Sequence, residues 1–295
     1  MALIPARPPG VFVQPIDDVL RERWERARRW LGYAFVAIPA CCALLAVALT
    51  VLRAYSGSDR PAIAEVGAVA VAAALVTAVV GAAGLLLFGS RTSPSGRSVP
   101  RDPRWWIWAA GLIAAAQGVA ADSVSRQAAA PDSRTGGALF PLLLALVLAA
   151  CYCAHRAGRE LTDPPLPALG DTDLAVPVLR ESGRNVALML EVLTLTVTED
   201  RVELAHRVGR RMASTTGVGL DRLVAVWPGW APPEANGVWN ARPPGTAEHL
   251  PPGTPAVVLR TYDQDIFLVV DRVDLVAQII HRRAARLAAL RWQQR

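Results

Sequence analysis

Apolar residues fall into two regimes along this chain, long unbroken runs in the first half and alternation in the second. Four runs, Leu31–Leu52, Ala62–Gly89, Trp105–Ala121 and Ala138–His155, contain a single charged residue, Glu65. About 20 apolar residues make a helix long enough to cross ~30 Å of hydrocarbon, and lipid offers the backbone no partners outside a helix. The runs therefore predict four transmembrane helices at about 31–52, 62–89, 105–121 and 138–155, the third at the lower limit of length. Pro39 predicts a kink in the first. Gly67, Ala70, Ala74, Ala78 and Ala82 give the second a small-residue stripe suited to close packing in the middle of a bundle. Ahead of the first run, Ile16, Leu20, Trp24, Ala27 and Leu31 recur at helical spacing behind Asp17, a good N-cap. They predict an interfacial amphipathic helix over 16–30, preceded by a disordered, Pro-rich segment over 1–15.

After a Pro-rich, acidic linker at 156–174 the period changes to two. Leu193, Leu195 and Val197 alternate with Thr194, Thr196 and Thr198, Glu199-Asp200 make a turn, and Val202, Leu204, His206 and Val208 alternate again. That is a hairpin with one buried face. Leu223–Trp227 predicts a third strand, and Ala256–Thr261 with Ile266–Val270 a second hairpin. Val178–Leu190 reads as strand or helix. The stretch 227–255 carries too much proline for sheet and reads as a loop holding Trp227, Trp230 and Trp239. A helix over 271–293 closes the chain, with Asp271 as N-cap and an apolar stripe of Val273, Val276, Ile280, Leu287 and Leu290. Arg283 interrupts that stripe. The interruption predicts that the later half leaves the sheet and presents Arg282, Arg286, Arg291 and Trp292 to a membrane or partner.

Composition strengthens the membrane reading. Of 295 residues 53% are hydrophobic, and the mean hydropathy is +0.29. Net charge is +6, and all 31 basic residues are arginine, as a GC-rich genome would supply. Arginines crowd the segment before the first run (Arg21, Arg23, Arg26, Arg28, Arg29), the loop between the second and third (Arg91, Arg97, Arg101, Arg104) and the end of the fourth (Arg156, Arg159). Tryptophans 24, 30, 105, 106 and 108 belong to the same boundary. Both signals predict cytoplasmic N- and C-termini.

Little in the chain promises chemistry. Cys41-Cys42 are adjacent and Cys151-x-Cys153 lie on opposed sides of a helix, so neither pair can aim at one metal, and apolar burial is expected. Glu65, Gln117 and Asp122 fall near the outer helix ends, where water reaches them. Signatures of serine hydrolases, nucleotide-binding loops, zinc proteases and paired-cysteine metal sites are missing. Gly217-Val218-Gly219 reads as a turn, His206 as a sheet side chain, and Asp263-Gln264-Asp265 as a hairpin turn. No catalytic residue, cofactor or metal is expected.

Certain residues resemble bacterial pleckstrin-homology-like (PH-like) domains of multi-pass membrane proteins. They are Thr198-Glu199-Asp200-Arg201 at the hairpin, Gly209 after its second strand, and Leu220-Asp221-Arg222-Leu223-Val224-Ala225-Val226. The resemblance covers about 175–293. It implies a barrel-like antiparallel sheet capped by a helix, with Thr198, Arg201, Gly209, Asp221 and Arg222 as structural residues. Five strands are legible against the seven of a full PH fold, which leaves the barrel incomplete.

The expected protein is thus of the α+β class, a four-helix transmembrane bundle followed by a small antiparallel PH-like sheet with a C-terminal helix. It is expected in the bacterial inner membrane as a non-enzymatic platform for protein–protein assembly. The alternative is a small transport or channel component regulated by its cytoplasmic domain. Membrane lipid, an unidentified protein and a second copy of the chain are the partners considered; nucleic acid is not expected. Candidate contacts are Trp227, Trp230 and Trp239 of the loop, Arg207, Arg210 and Arg211 near the hairpin end, and Arg282, Arg286 and Trp292 of the last helix.

Overall fold

The computed structural model describes residues 17–42, 103–127, 136–182, 191–208, 211–232, 238–240 and 253–293, with a few isolated positions near the N-terminus and in 44–48. The chain divides into two compact units. One holds Arg23 onward of the first helix and the helices up to Leu161; the other holds Thr162–Arg295 and the first helical turn.

Helix α1, Asp18–Gly32, starts where its cap requires: the Asp17 carboxylate accepts the amides of Val19 and Leu20 at 3.0 and 3.2 Å. The helix continues through a π-helical turn, Tyr33–Ala37. Pro39 lies just beyond and cannot donate to the preceding turn, so the distortion falls beside the proline that predicted a kink. The stripe of Leu20, Trp24, Ala27 and Leu31 is almost wholly buried.

Helices α2, Pro103–Gln127, and α3, Gly136–Thr162, replace the shorter runs expected at 105–121 and 138–155. Both extend past their apolar stretch into polar residues whose backbone is satisfied as readily in a helix. They pack antiparallel through small residues. A Cβ on Gly111 would stand 2.8 Å from Cys151 Sγ, and Gly118 lies against Leu143. Ala110, Ala114, Ala150, Ala154 and Ala157 are buried nearby. Trp30 of α1 meets Tyr152 of α3 edge to face at 6.3 Å, and Arg26 pairs with Glu160 at 3.4 Å. Leu44, Leu112, Val119, Leu144 and Leu148 point outward and are exposed. Among the described residues one helix, Pro141–Thr162, is long and apolar enough to cross a membrane, and Trp105–Val119 is a shorter apolar segment. The second predicted span, its alanine stripe and Glu65 lie outside the described residues, as does the side chain of Asp122.

The second unit is α+β, with antiparallel sheets and a C-terminal helix. Strands β1, Val176–Ser182, β2, Glu191–Val197, β3, Arg201–Val208, and β4, Arg211–Gly219, form a meander in chain order. Strands β5, Leu223–Ala231, β6, Val238–Asn240, β7, Thr254–Thr261, and β8, Asp265–Val269, form the second sheet in the order β5-β7-β8-β6. Among the described strands only β6 is parallel to its neighbour. Both predicted hairpins are present. They share one turn device: Thr198 and Thr261 each bridge the backbone three residues on through amide, carbonyl and hydroxyl.

Two strands correct the sequence reading. Gly217-Val218-Gly219 belongs to β4, where pairing with β3 overrides the absence of bulky alternation. The proline-rich stretch holds the later half of β5 and all of β6. Pro228 fits because β5 is an edge strand, with no ladder bond to lose on its outer side. The main core joins both sheets, including Leu195, Val197 and Val202 from one and Val257, Leu259 and Leu268 from the other, and helix α4, Val273–Gln293, closes it with Val276, Ile279 and Ile280.

Candidate partner-binding surface

The expected contact residues separate into those consumed by the fold and those left outside it. Arg283, the interruption in the apolar stripe, is 1% exposed. Its guanidinium donates to four carbonyls: Nε to Gly170 at 2.9 Å, Nη1 to Thr198 at 3.1 Å, and Nη2 to Leu169 at 2.7 Å and Leu174 at 2.9 Å. Planar, multiply donating arginine is the side chain able to serve so many acceptors at once. Burial pulls its pKa down to about 10, helped by the neighbouring Arg286 and opposed by Asp173, Glu199 and Asp171. Arg282 pairs with Asp171 at 2.9 Å, and Arg286 holds Asp173 and donates to the Thr172 carbonyl.

The three arginines thus fasten the segment before β1 to α4. That segment contains a 3-10 turn, Pro167–Asp171, whose Ala168, Leu169 and Gly170 are buried. Gly170 fits because a Cβ there would strike the Ile279 carbonyl, 2.6 Å away. The expected free linker is therefore part of the fold through 167–174. Arg282 and Arg286, expected to face a membrane or partner, are turned onto it instead, because its acidic side chains and open carbonyls neutralise the basic side of α4.

The residues on which the resemblance rested make the following contacts. Thr198 Oγ1 receives the Arg201 amide at 3.3 Å, and its carbonyl is one of the four held by Arg283. The Arg201 side chain points to Asp200 and Glu203. Leu220, in the 3-10 turn Leu220–Arg222, donates its amide to the Asp200 carbonyl at 2.7 Å. Asp221 pairs with Arg291 at 3.4 Å, and Arg222 is exposed with no ionic partner among the described residues. Gly209 lies outside the described residues.

Arg207 and Arg211 occupy β3 and β4 beside each other in register, Arg207 opposite Met212 and Val208 opposite Arg211; Arg210 lies outside the described residues. Trp227 and Trp230 sit on β5, contrary to the loop expected from 227 onward, and Trp239 sits on β6. The Arg260 guanidinium covers the Trp227 ring at 5.0 Å, so this tryptophan packs on its own sheet. Arg260 in turn grips Asp265 through two bonds of 2.9 Å, which hold that carboxyl below its ordinary range.

Among the described residues of this unit, the large apolar side chains open to solvent are Val224, Trp230, Tyr262 and Trp292. Three of these line one groove of about 430 Å³ between β5 and α4. Leu223, Val226 and Leu287 contribute apolar walls, and Ala284, Ala285 and Ala288 keep the helix side shallow. Pairing of Leu223 with Thr261 sets Tyr262 at the end where Asp221 and Arg291 meet, with Trp292 beside them; His281 marks the other end. Tyr262 and Trp292 are 80% and 82% exposed. The groove escaped the sequence reading, although Trp292 stood among the candidate contacts.

Among the cysteines Cys42 and Cys153 are buried as expected, whereas Cys41 is exposed and Cys151 half-buried. No cluster of three or more potential metal ligands occurs among the described residues. The chain matches no family model, no curated protein and no solved structure.

Proposed function

We propose that this protein is a non-enzymatic, multi-pass membrane protein that presents a PH-like domain at the inner leaflet for protein assembly. The observation that carries the membrane part is the distribution in the helical unit. Glycine and alanine face inward between α2 and α3 while Leu112, Val119, Leu144 and Leu148 face outward. That is the arrangement favoured where the surroundings are as apolar as the side chains. With the runs at 31–52 and 62–89, four spans and cytoplasmic termini follow from the arginine distribution.

The PH-like reading is supported by a four-stranded meander followed by a second sheet and a closing helix. Assembly is supported by exposed Val224, Trp230, Tyr262 and Trp292, large apolar groups suited to a partner contact. Gln117, buried within α2, favours the second reading of a transport or channel component with a regulatory domain.

Photocrosslinking in cells from position Trp230 tests the first reading. Capture of one defined protein is the expected result, and capture of lipid alone would overturn it. A periplasmic signal from a C-terminal reporter would overturn the orientation.

A further inference from the structure

Resting on the membrane reading of the helical unit, we infer that α1 and α3 together hold one anionic phospholipid. Its phosphate lies against Arg26 and Arg156, and an acyl chain follows the outer face of α3. The class is a phosphodiester headgroup with no balancing amine, as in phosphatidylglycerol.

Three observations converge on this occupant. First, one acid draws together guanidiniums from two helices. Arg26 Nε and Arg156 Nη2 take the two oxygens of Glu160, at 3.4 and 3.5 Å. One carboxylate balances one of the two charges, and the arginines stay 51% and 45% exposed. A guanidinium carries five N–H donors, so most of these remain for another acceptor. Arg29, exposed one turn before Tyr33, has no ion pair among the described residues. Glu22 and Glu25 precede Arg26 on α1 and are matched in number by Arg23 and Arg28, so the patch keeps its positive charge.

Second, a shelf of rings borders the arginines. Trp30 meets Tyr33 at 6.0 Å and Tyr152 at 6.3 Å, both edge to face, and the two tyrosines are more than half exposed. Trp30 lies one turn beyond Arg26 and Tyr152 one turn before Arg156, so on both helices the rings stand on the apolar side of the guanidiniums. Apolar rings with polar tips suit the glycerol and ester level of a bilayer.

Third, the face beyond the rings is apolar. Leu148 and Leu144 follow Tyr152 at one-turn spacing, both exposed, and Val36 follows Tyr33. At about 1.5 Å per residue, Arg156 to Leu144 spans about 18 Å. One leaflet, half of ~30 Å of hydrocarbon, is of that size. Arginine, aromatic and leucine thus occur in the order in which a phospholipid presents phosphate, ester and chain. A free phosphate ester would leave the rings and leucines unused, and a zwitterionic lipid would set its amine against the guanidiniums.

Native mass spectrometry of the detergent-solubilised full chain, titrated with phosphatidylglycerol or phosphatidylcholine, tests this. Phosphatidylglycerol should add one saturating lipid, and phosphatidylcholine should bind about tenfold more weakly or worse. That comparison needs no variant. Arg26→Gln with Arg156→Gln should weaken phosphatidylglycerol about tenfold or more and leave phosphatidylcholine unchanged. Both positions are half exposed, so the variant keeps its fold, checked by an unchanged melting curve. Arg201→Gln with Arg222→Gln removes the same charge from the second unit and should not alter binding. Equal binding of the two lipids, adducts that accumulate without saturating, no effect of the first variant, or an equal effect of the second would each overturn the inference. So would displacement of the lipid by equimolar glycerol phosphate, which would make the ligand a soluble ester. Carbonate extraction of cell membranes separates the two readings. A chain that stays in the pellet yet favours neither lipid keeps the membrane reading and loses this site, whereas a chain released by carbonate loses both.

Discussion

Replacing Arg283 by methionine keeps an unbranched stem in the core of the second unit and removes the donor that serves Leu169, Gly170 and Leu174 before β1 and Thr198 at the first hairpin, while Arg282 and Arg286 stay in place. Four hydrogen bonds go, but the consequences differ among their acceptors. The Leu169 carbonyl keeps the amide and hydroxyl of Thr172, at 3.2 and 2.8 Å. The carbonyls of Gly170, Leu174 and Thr198 lose the guanidinium in a buried setting. At about 2 kcal/mol for each stranded acceptor the loss is roughly 6 kcal/mol. Against it stands relief from burying the charge: a pKa held at about 10 corresponds to about 3 kcal/mol at ~1.4 kcal/mol per pKa unit. The expected net cost is about 3 kcal/mol, or a fall in melting temperature of about 10 °C for a unit of this size. Fluorescence of Trp227 and Trp230 reports the melt in the full chain, and hydrogen exchange over 167–174 should accelerate in the same variant. A melt within about 2 °C of the parent, with unchanged exchange in that segment, would refute the idea that Arg283 fastens it.

Other consequences are testable alongside. Gly170→Ala places a Cβ against the Ile279 backbone and should cost about 2 kcal/mol or more in the same melt. Gly111→Ala should destabilise the helical unit by about 1–2 kcal/mol, and Cys151→Ala should restore most of that loss in detergent thermal-shift measurements. Asp265, held low by Arg260, should titrate by NMR below the ordinary 3.8, and Arg260→Gln should return it. Because the folded-state value is depressed, the stability supplied by this pair is present above about pH 4 and disappears as pH falls through it. The difference between parent and Arg260→Gln should accordingly shrink in acid.

Legibility tracked locality. The two hairpins announce themselves because alternation and turn occur within a dozen residues, and in each a threonine ties the turn to itself. Strand β4 has only weak alternation and exists through its register with β3, so its sequence looked like a turn. Strand β6 is three residues long and depends on β8, a partner beyond the next strand in the chain. Residues 167–174 dock through main-chain carbonyls, which carry no residue-specific signal, and through Asp171 and Asp173, whose charges read as part of an acidic linker. The one trace was Arg283 on an apolar stripe, and its natural interpretation was an exposed charge. The groove arises from small side chains beside an unpaired edge, a matter of shape that no spacing encodes.

The arginine-held segment also changes what counts as a detachable piece of this protein. A cut chosen by composition falls at residue 175, where the prolines end and the strands begin. A fragment begun there would carry Arg283 into its core with three of its four carbonyls left on the discarded side. Such a fragment would lack folding partners rather than merely a tether, and its failure would say nothing about the sheets. The smallest transplantable version begins no later than Pro167.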